Sequence, residues 1–177
     1  MNLVLIGYRG TGKSAVAAIL SRKLGMAAVS LDEEIVREAG MPIPEIVEKH
    51  GWPWFRDLES EIVERFASRD QVILDTGGGV VLRPRNTENL RRGGVLFWLE
   101  ASVEVIVERI QESTERPSLT EGRSFLEEVE EVLSERLPLY RAAADRQIDT
   151  DPLTAAGVAD EIIREFRTLA AERGERA

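Results

Sequence analysis

The 177-residue chain contains no cysteine and a single histidine, His50. Disulfides and thiolate metal sites are excluded, and a His-rich zinc centre or a Ser/His nucleophile pair has almost nothing to build on. No apolar run reaches the ~18 residues that a membrane span requires. The opening residues Met-Asn-Leu-Val-Leu-Ile-Gly lack a basic region and a small-residue cleavage site. No signal peptide is expected, and the reading is a cytoplasmic chain that begins at Met1. Positive charge is short as well: 23 Lys and Arg stand against 32 Asp and Glu, for a formal net charge of −9. That balance argues against nucleic acid or a membrane surface as partner. What remains is ordinary for one globular domain, with 43% hydrophobic and 31% charged residues. A chain of this length buries roughly 70% of its unfolded surface, enough for a real core.

Short apolar runs alternate with helical patterns. Strands are expected at Leu3–Ile6, Ala27–Ser30, Val72–Leu74, Val95–Leu99 and, weakly, Gln147–Asp149. Helices fit Ala15–Leu24, with Gly25 as C-cap, then Ser102–Ile110, Phe125–Leu137 and Thr154–Leu169. Alternation of this kind implies right-handed crossovers and a parallel sheet with helices on both faces, an α/β/α three-layer fold. Residues 33–68 break the rhythm. They read as a helical insertion, one helix opening near Pro44 and another after Pro53, placed over the carboxyl ends of the strands. Residues 1–170 thus form one domain, 112–124 a polar lid, and 171–177 a fraying end.

Gly7-Tyr8-Arg9-Gly10-Thr11-Gly12-Lys13-Ser14 matches G-x-x-x-x-G-K-[ST] between a strand and a helix. Glycines let backbone N–H groups curl toward phosphate oxygens, and the helix N-terminus adds partial positive charge. Gly10, Thr11, Gly12, Lys13, Ser14 and Ala15 are the candidate nucleotide contacts, Lys13 on the β/γ-phosphates and Ser14 on Mg²⁺. ATP or GTP with Mg²⁺ is the implied ligand.

Asp32 follows the second strand, where it either orients an acceptor hydroxyl or N-caps the next helix. Asp75 follows the third strand as a Walker B aspartate does, and could hold Mg²⁺ directly or through water. Gly77, Gly78 and Gly79 then remove every side chain, so a ligand can approach the backbone. Arg56, Arg116, Arg136 and Arg141 are scattered candidates for carboxylate or phosphate recognition, with Arg116 carried on the lid. Trp52, Trp54 and Phe55 are expected in the core of the insertion, and His50 at a helix end.

Taken together, these pieces resemble the shikimate kinase family over Leu3 to about Pro152. The most specific segments are Phe55-Arg56 with Glu59, Gly77-Gly78-Gly79-Val80-Val81, Arg116-Pro117, and Arg136-Leu-Pro-Leu-Tyr-Arg141. The resemblance implies transfer of the ATP γ-phosphoryl group to the 3-hydroxyl of shikimate, on the route to chorismate and the aromatic amino acids. It implies a small NMP-kinase-like fold with a five-stranded parallel sheet, a substrate-binding helical segment and a lid. By position, Asp32 would bind the acceptor hydroxyls, Arg56 and Arg136 the carboxylate, and Gly77–Gly79 would line that pocket. Arg116 would reach the phosphates. A monomer is expected.

One departure stands out. The family pattern carries Asp-x-Asp after the second strand, and here the first position is Ser30. Sliding the register to Asp32 and Glu34 breaks the spacing from Lys13 and to Gly40, so Asp75 is expected to take over the metal role. Another small-molecule kinase, acting on gluconate or a nucleoside monophosphate, is the alternative. A guanine-nucleotide switch would match Asp75-Thr76-Gly77-Gly78, but none of the three asparagines, Asn2, Asn86 and Asn89, is followed by the lysine of Asn-Lys-x-Asp.

Overall fold

Leu3 and Leu5 point to one side of the first strand, Val4 and Ile6 to the other, and all four are completely buried. A strand with apolar residues at every position belongs in the middle of a parallel sheet covered on both faces. The computed structural model describes residues 1–112, 125–172 and 174 and places that strand there. Its elements run β1 (Asn2–Ile6), α1 (Lys13–Leu24), β2 (Ala27–Ser30), α2 (Leu31–Ala39), α3 (Ile43–Ala67), β3 (Val72–Asp75), α4 (Pro84–Gly93), β4 (Gly94–Glu100), α5 (Val103–Glu112), α6 (Phe125–Ala143), β5 (Arg146–Asp149) and α7 (Ala155–Glu172). A single 3₁₀ turn, Val80–Leu82, precedes α4.

The sheet has five parallel strands in the order β2-β3-β1-β4-β5. On one face Val4, Ile6, Leu96 and Trp98 meet α2, α3 and α6 through Ile35, Phe55, Ile62 and Tyr140. On the other, Leu3, Leu5, Phe97 and Leu99 meet α1 and α7 through Leu20, Ile162 and Phe166. The chain leaves β1 toward β2 on one side and later places β4 on the other. The carboxyl ends of β1 and β3 therefore open at a topological switch point, where α/β sheets bind ligands. No helix among the described residues is long and apolar enough to cross a membrane.

The five expected strands are present, and α2 and α3 occupy the stretch between β2 and β3 that was read as helical. Gly51, at φ 81° and ψ 165°, breaks α3 into the two helical segments that the prolines implied. Four expectations need correction. Pro84–Gly93 form a helix, α4, which the sequence hid because only Asn86 and Leu90 of it are buried. The helix opening at Phe125 continues through Pro138 to Ala143, because Tyr140 and Ala143 bury against the sheet and outweigh one lost backbone N–H. The last helix runs to Glu172, held past Leu169 by Ala170, which is buried. Finally, Trp52 and Trp54 are exposed, at 52% and 40%, and only Phe55 is core. Trp54 falls about 100° around the helix from Phe55, and Trp52 stands edge-on to it at 5.6 Å. His50 stacks on Trp54 at 4.5 Å. The expected lid starts on the last residue of α5, and the rest of it lies outside the described residues.

The floor of the sheet is tied by Asn2, which is buried. Its amide donates to the carbonyls of Ala67 (3.4 Å) and Arg69 (2.7 Å), and its Oδ1 accepts from the Val72 N–H at 3.1 Å. One side chain thus joins β1 to the end of α3 and the start of β3. Asn2→Ala orphans three backbone groups and is expected to lower stability by about 1–3 kcal/mol, measured by urea unfolding. An unchanged midpoint would refute this role.

Candidate active site

β1 delivers the chain into a loop that turns through left-handed backbone at Gly10 and Gly12 before α1 begins at Lys13. Gly12 carries no side chain to cap α1, so the first N–H groups of the helix remain available to an anion. Thr11 uses its hydroxyl inside the loop, donating to the Tyr8 carbonyl at 2.8 Å. Lys13 is buried, and its Nζ donates to the carbonyls of Gly7 and Tyr8 at 2.9 Å each. Burial lowers its pKa, opposed by the charges of Asp75 and Asp32. A cavity of about 370 Å³ lies over this loop. Gly10, Gly12, Lys13, Ser14 and Ala15 form its floor, and Asp32, Asp75 and Gly78 its wall.

Asp75 closes β3, and its Oδ2 accepts from the Ser14 hydroxyl at 2.6 Å. Burial raises its pKa, opposed by the Ser14 hydrogen bond and by Lys13. Asp75 and Ser30 are register partners across β3 and β2. Ser30 is the N-cap of α2, its Oγ accepting from the Glu33 N–H at 3.3 Å. The capping alternative for Asp32 is therefore corrected. Ser30 performs that task because it is the last residue before the helical turn, and Asp32 sits inside the first turn facing the cavity.

The triple glycine follows Asp75 and touches three charged side chains. A Cβ on Gly77 would stand 2.6 Å from Asp32 Oδ1. One on Gly79 would stand 2.2–2.5 Å from the Arg56 guanidinium. The Gly78 carbonyl accepts from Arg136 Nη1 at 3.2 Å. Asp32 from α2, Arg56 from α3 and Arg136 from α6 thus meet on one stretch of backbone, beside the phosphate loop. Arg56 is held by both oxygens of Glu59, at 2.8 and 2.7 Å, with the two side chains 14% and 3% exposed. Burial raises the Glu59 pKa, and the Arg56 charge opposes it.

Of the sequence-derived site residues within the described range, all but Arg141 fall in this region. Arg116 lies outside the described residues, and Arg141 lines no part of the cavity. Sequence reasoning gave no role to Glu59, Tyr140, Arg9 or Arg109. Arg9 and Arg109 line the cavity. Arg109 bonds Thr150 Oγ1 at 3.1 Å and Thr150 O at 3.3 Å, tying α5 to the end of β5. Glu59 was signalled only as part of the Phe55-Arg56 segment of the resemblance and by its i+3 spacing from Arg56, neither of which gave it a role. Among the described residues no group of three or more His, Asp or Glu could hold a metal ion. Ser14 and Asp75 fit one that completes its shell with phosphates and water, as Mg²⁺ does.

Comparison with known proteins points to one family. A family model described as "Shikimate kinase" matches residues 9–167. A shikimate kinase of Thermodesulfovibrio yellowstonii is 44% identical over 168 residues, 95% of this chain and 96% of its own. The solved shikimate kinase from Acinetobacter baumannii in complex with shikimate superposes with a TM-score of 0.87 at 31% identity, covering 97% of this chain and 94% of that one. A gluconokinase from Sinorhizobium meliloti reaches a TM-score of 0.62 at 22% identity, covering 97% and 94%, and shares the fold.

The contact between residue 79 and Arg56 is testable without any ligand. Gly79 has φ −97°, so alanine there meets a steric obstacle and no conformational one. Gly79→Ala is expected to cost about 1–3 kcal/mol by urea unfolding. Combining it with Arg56→Ala should recover part of the combined loss. Strict additivity of the two changes would show that the contact does not exist.

Proposed function

The chain belongs to the shikimate kinase family, and on that premise we propose that it transfers the γ-phosphoryl group of ATP to the 3-hydroxyl of shikimate, giving shikimate 3-phosphate and ADP. It would do so in the cytoplasm, on the route to chorismate and the aromatic amino acids. The observation that carries the reading is the convergence of Asp32, Arg56 and Arg136 on Gly77–Gly79 beside the phosphate loop. Two arginines suit a carboxylate, and a carboxylate suits a hydroxyl. A monomer suffices, because one chain supplies all of these groups. The gluconate and nucleoside monophosphate alternatives are not favoured.

In the step itself a bond forms between the 3-oxygen and the γ-phosphorus, and the bond from that phosphorus to the bridging oxygen breaks. Positioning and charge neutralisation dominate such transfers. Arg56 and Arg136 hold the shikimate carboxylate. Glu59 orders Arg56 in advance, so less side-chain freedom is lost on binding. Asp32 accepts a hydrogen bond from the acceptor hydroxyl and takes its proton. Lys13 and the uncapped N–H groups of α1 face the phosphates. Arg116 is assigned to the phosphates by sequence position. Ser14 and Asp75 would hold Mg²⁺, which when bound neutralises charge on the β- and γ-phosphates. Ser30 offers a hydroxyl that accepts from the α2 backbone, and its cross-strand neighbour Asp75 carries the carboxylate instead.

Arg56→Ala or Arg136→Ala is expected to raise the KM for shikimate at least about tenfold, with a smaller effect on kcat. Asp32→Asn should lower kcat about a hundredfold or more. Steady-state kinetics with ATP and shikimate check all three, and near-normal KM values in both arginine variants would refute the carboxylate pocket. For the metal, Asp75→Asn should weaken Mg²⁺ binding to the ADP complex in calorimetry and raise the Mg²⁺ needed for half-maximal rate. Adding Ser30→Asp to Asp75→Asn should restore both. An unchanged Mg²⁺ affinity in Asp75→Asn would remove Asp75 from the metal site.

A further inference from the structure

Arg136 and Tyr140 lie four residues apart on α6, hence on one face of the helix. Both donate to the same acceptor, the carbonyl of Gly78: Arg136 through Nη1 at 3.2 Å and Tyr140 through its hydroxyl. A carbonyl oxygen has two lone pairs, and here each has its own donor. The two donors differ in freedom. Tyr140 is completely buried, its ring stacked on Trp98 of β4 with centroids 6.0 Å apart and an interplanar angle of 19°. Arg136 is half-buried and lies 5.9 Å from the centre of the Tyr8 ring.

We propose that the Tyr140 hydroxyl is a positioning group that keeps the Gly78 carbonyl satisfied, and so allows Arg136 to leave that carbonyl for the substrate carboxylate. This rests on the reading that Arg136 binds the carboxylate. A guanidinium that swings from a carbonyl to a carboxylate exchanges a neutral acceptor for a charged one, which strengthens its bond. The exchange is favourable only if the abandoned carbonyl is not left without a donor in a partly buried turn. Tyr140 supplies that donor before and after the exchange. Burial pushes its hydroxyl up to about 12, so it remains protonated at neutral pH. The peptide between Gly78 and Gly79 is planar and trans, so fixing the Gly78 carbonyl toward α6 also aims the Gly79 N–H away from it. The backbone beside Arg56 keeps its shape while Arg136 moves.

The test compares the full-length enzyme with Tyr140→Phe, Arg136→Ala and the double variant. It measures shikimate affinity by calorimetry, the KM for each substrate, and kcat. Tyr140→Phe keeps the ring on Trp98 and removes only the hydroxyl. It is expected to weaken shikimate binding and raise its KM about three- to tenfold, while the KM for ATP and kcat move far less. The added loss should vanish in the Arg136→Ala background, where no guanidinium leaves the carbonyl. Unchanged shikimate affinity in Tyr140→Phe, or the same loss with and without Arg136, would overturn the proposal and leave Tyr140 a packing residue. Normal shikimate affinity in Arg136→Ala would overturn the carboxylate reading of Arg136 and the proposal with it. Calorimetry reports affinity and binding stoichiometry separately, so partial unfolding of a variant lowers the stoichiometry without mimicking the expected result.

Discussion

The Arg56 guanidinium occupies the volume that a side chain at residue 79 would need, and the geometry of the substrate side depends on that contact. With no Cβ in the way, α3 can bring a cation flush against the turn after β3. Glu59 then balances it from the same helix with two hydrogen bonds. Both side chains are nearly out of water, where an unpaired charge would be costly. Burial favours the neutral form of Glu59, while Arg56 favours the ionised form. The same missing side chains admit Asp32 at Gly77 and leave the Gly78 carbonyl open to α6. Three helices are therefore referenced to one short piece of backbone.

That backbone is fixed by the sheet. Thr76 returns to β1 through its N–H and hydroxyl, both donating to the Leu5 carbonyl at 3.3 and 2.8 Å. Asp75 returns to the phosphate loop through Ser14. The phosphate loop and the glycine turn thus share β1 and β3, the strands of the switch point. The net charge of −9 describes none of this. Lys13, Arg9 and Arg109 line the cavity, whereas Glu127, Glu130 and Glu131 lie exposed on α6. A locally basic cleft inside an acidic protein attracts small anions and leaves the outer surface soluble.

The parts legible in the sequence were those with a strong local signal. β1 and β4 showed as continuous apolar runs, the phosphate loop as fixed glycine spacing, and the break in α3 as Gly51 followed by Pro53. The misses share a different cause. α4 buries only Asn86 and Leu90, so it lacks an apolar stripe. Pro138 argued for a stop that tertiary burial of Tyr140 overrides. Trp52 and Trp54 are apolar by composition but sit where the helix overhangs its core. Within the site, Asp32 showed by its place after a strand and Arg56 and Arg136 by residue type, and the resemblance gave them roles. Tyr140 was quoted only as part of a motif, because its contact is with a carbonyl 62 residues away in sequence, and no residue type records that.

The same limit explains the metal side. Read along the chain, Ser30 is a loss of acid and Asp75 is an unrelated aspartate 45 positions later, just before Gly77–Gly79. Read across the sheet, the two are register partners on adjacent strands. Neighbouring strands lie about 4.8 Å apart, and paired residues in a parallel ladder present their side chains to the same side. A carboxylate can therefore move from β2 to β3 while serving the same small region. The move has local consequences on both strands. On β2, serine gains a cap for α2 that a metal-bound aspartate would not provide. On β3, aspartate comes within hydrogen-bond reach of the very hydroxyl that the phosphate loop offers a cation. On the proposed reading of the metal site, the departure from the family's pattern amounts to a relocation of one negative charge by one strand, and the hydroxyl left on β2 caps α2.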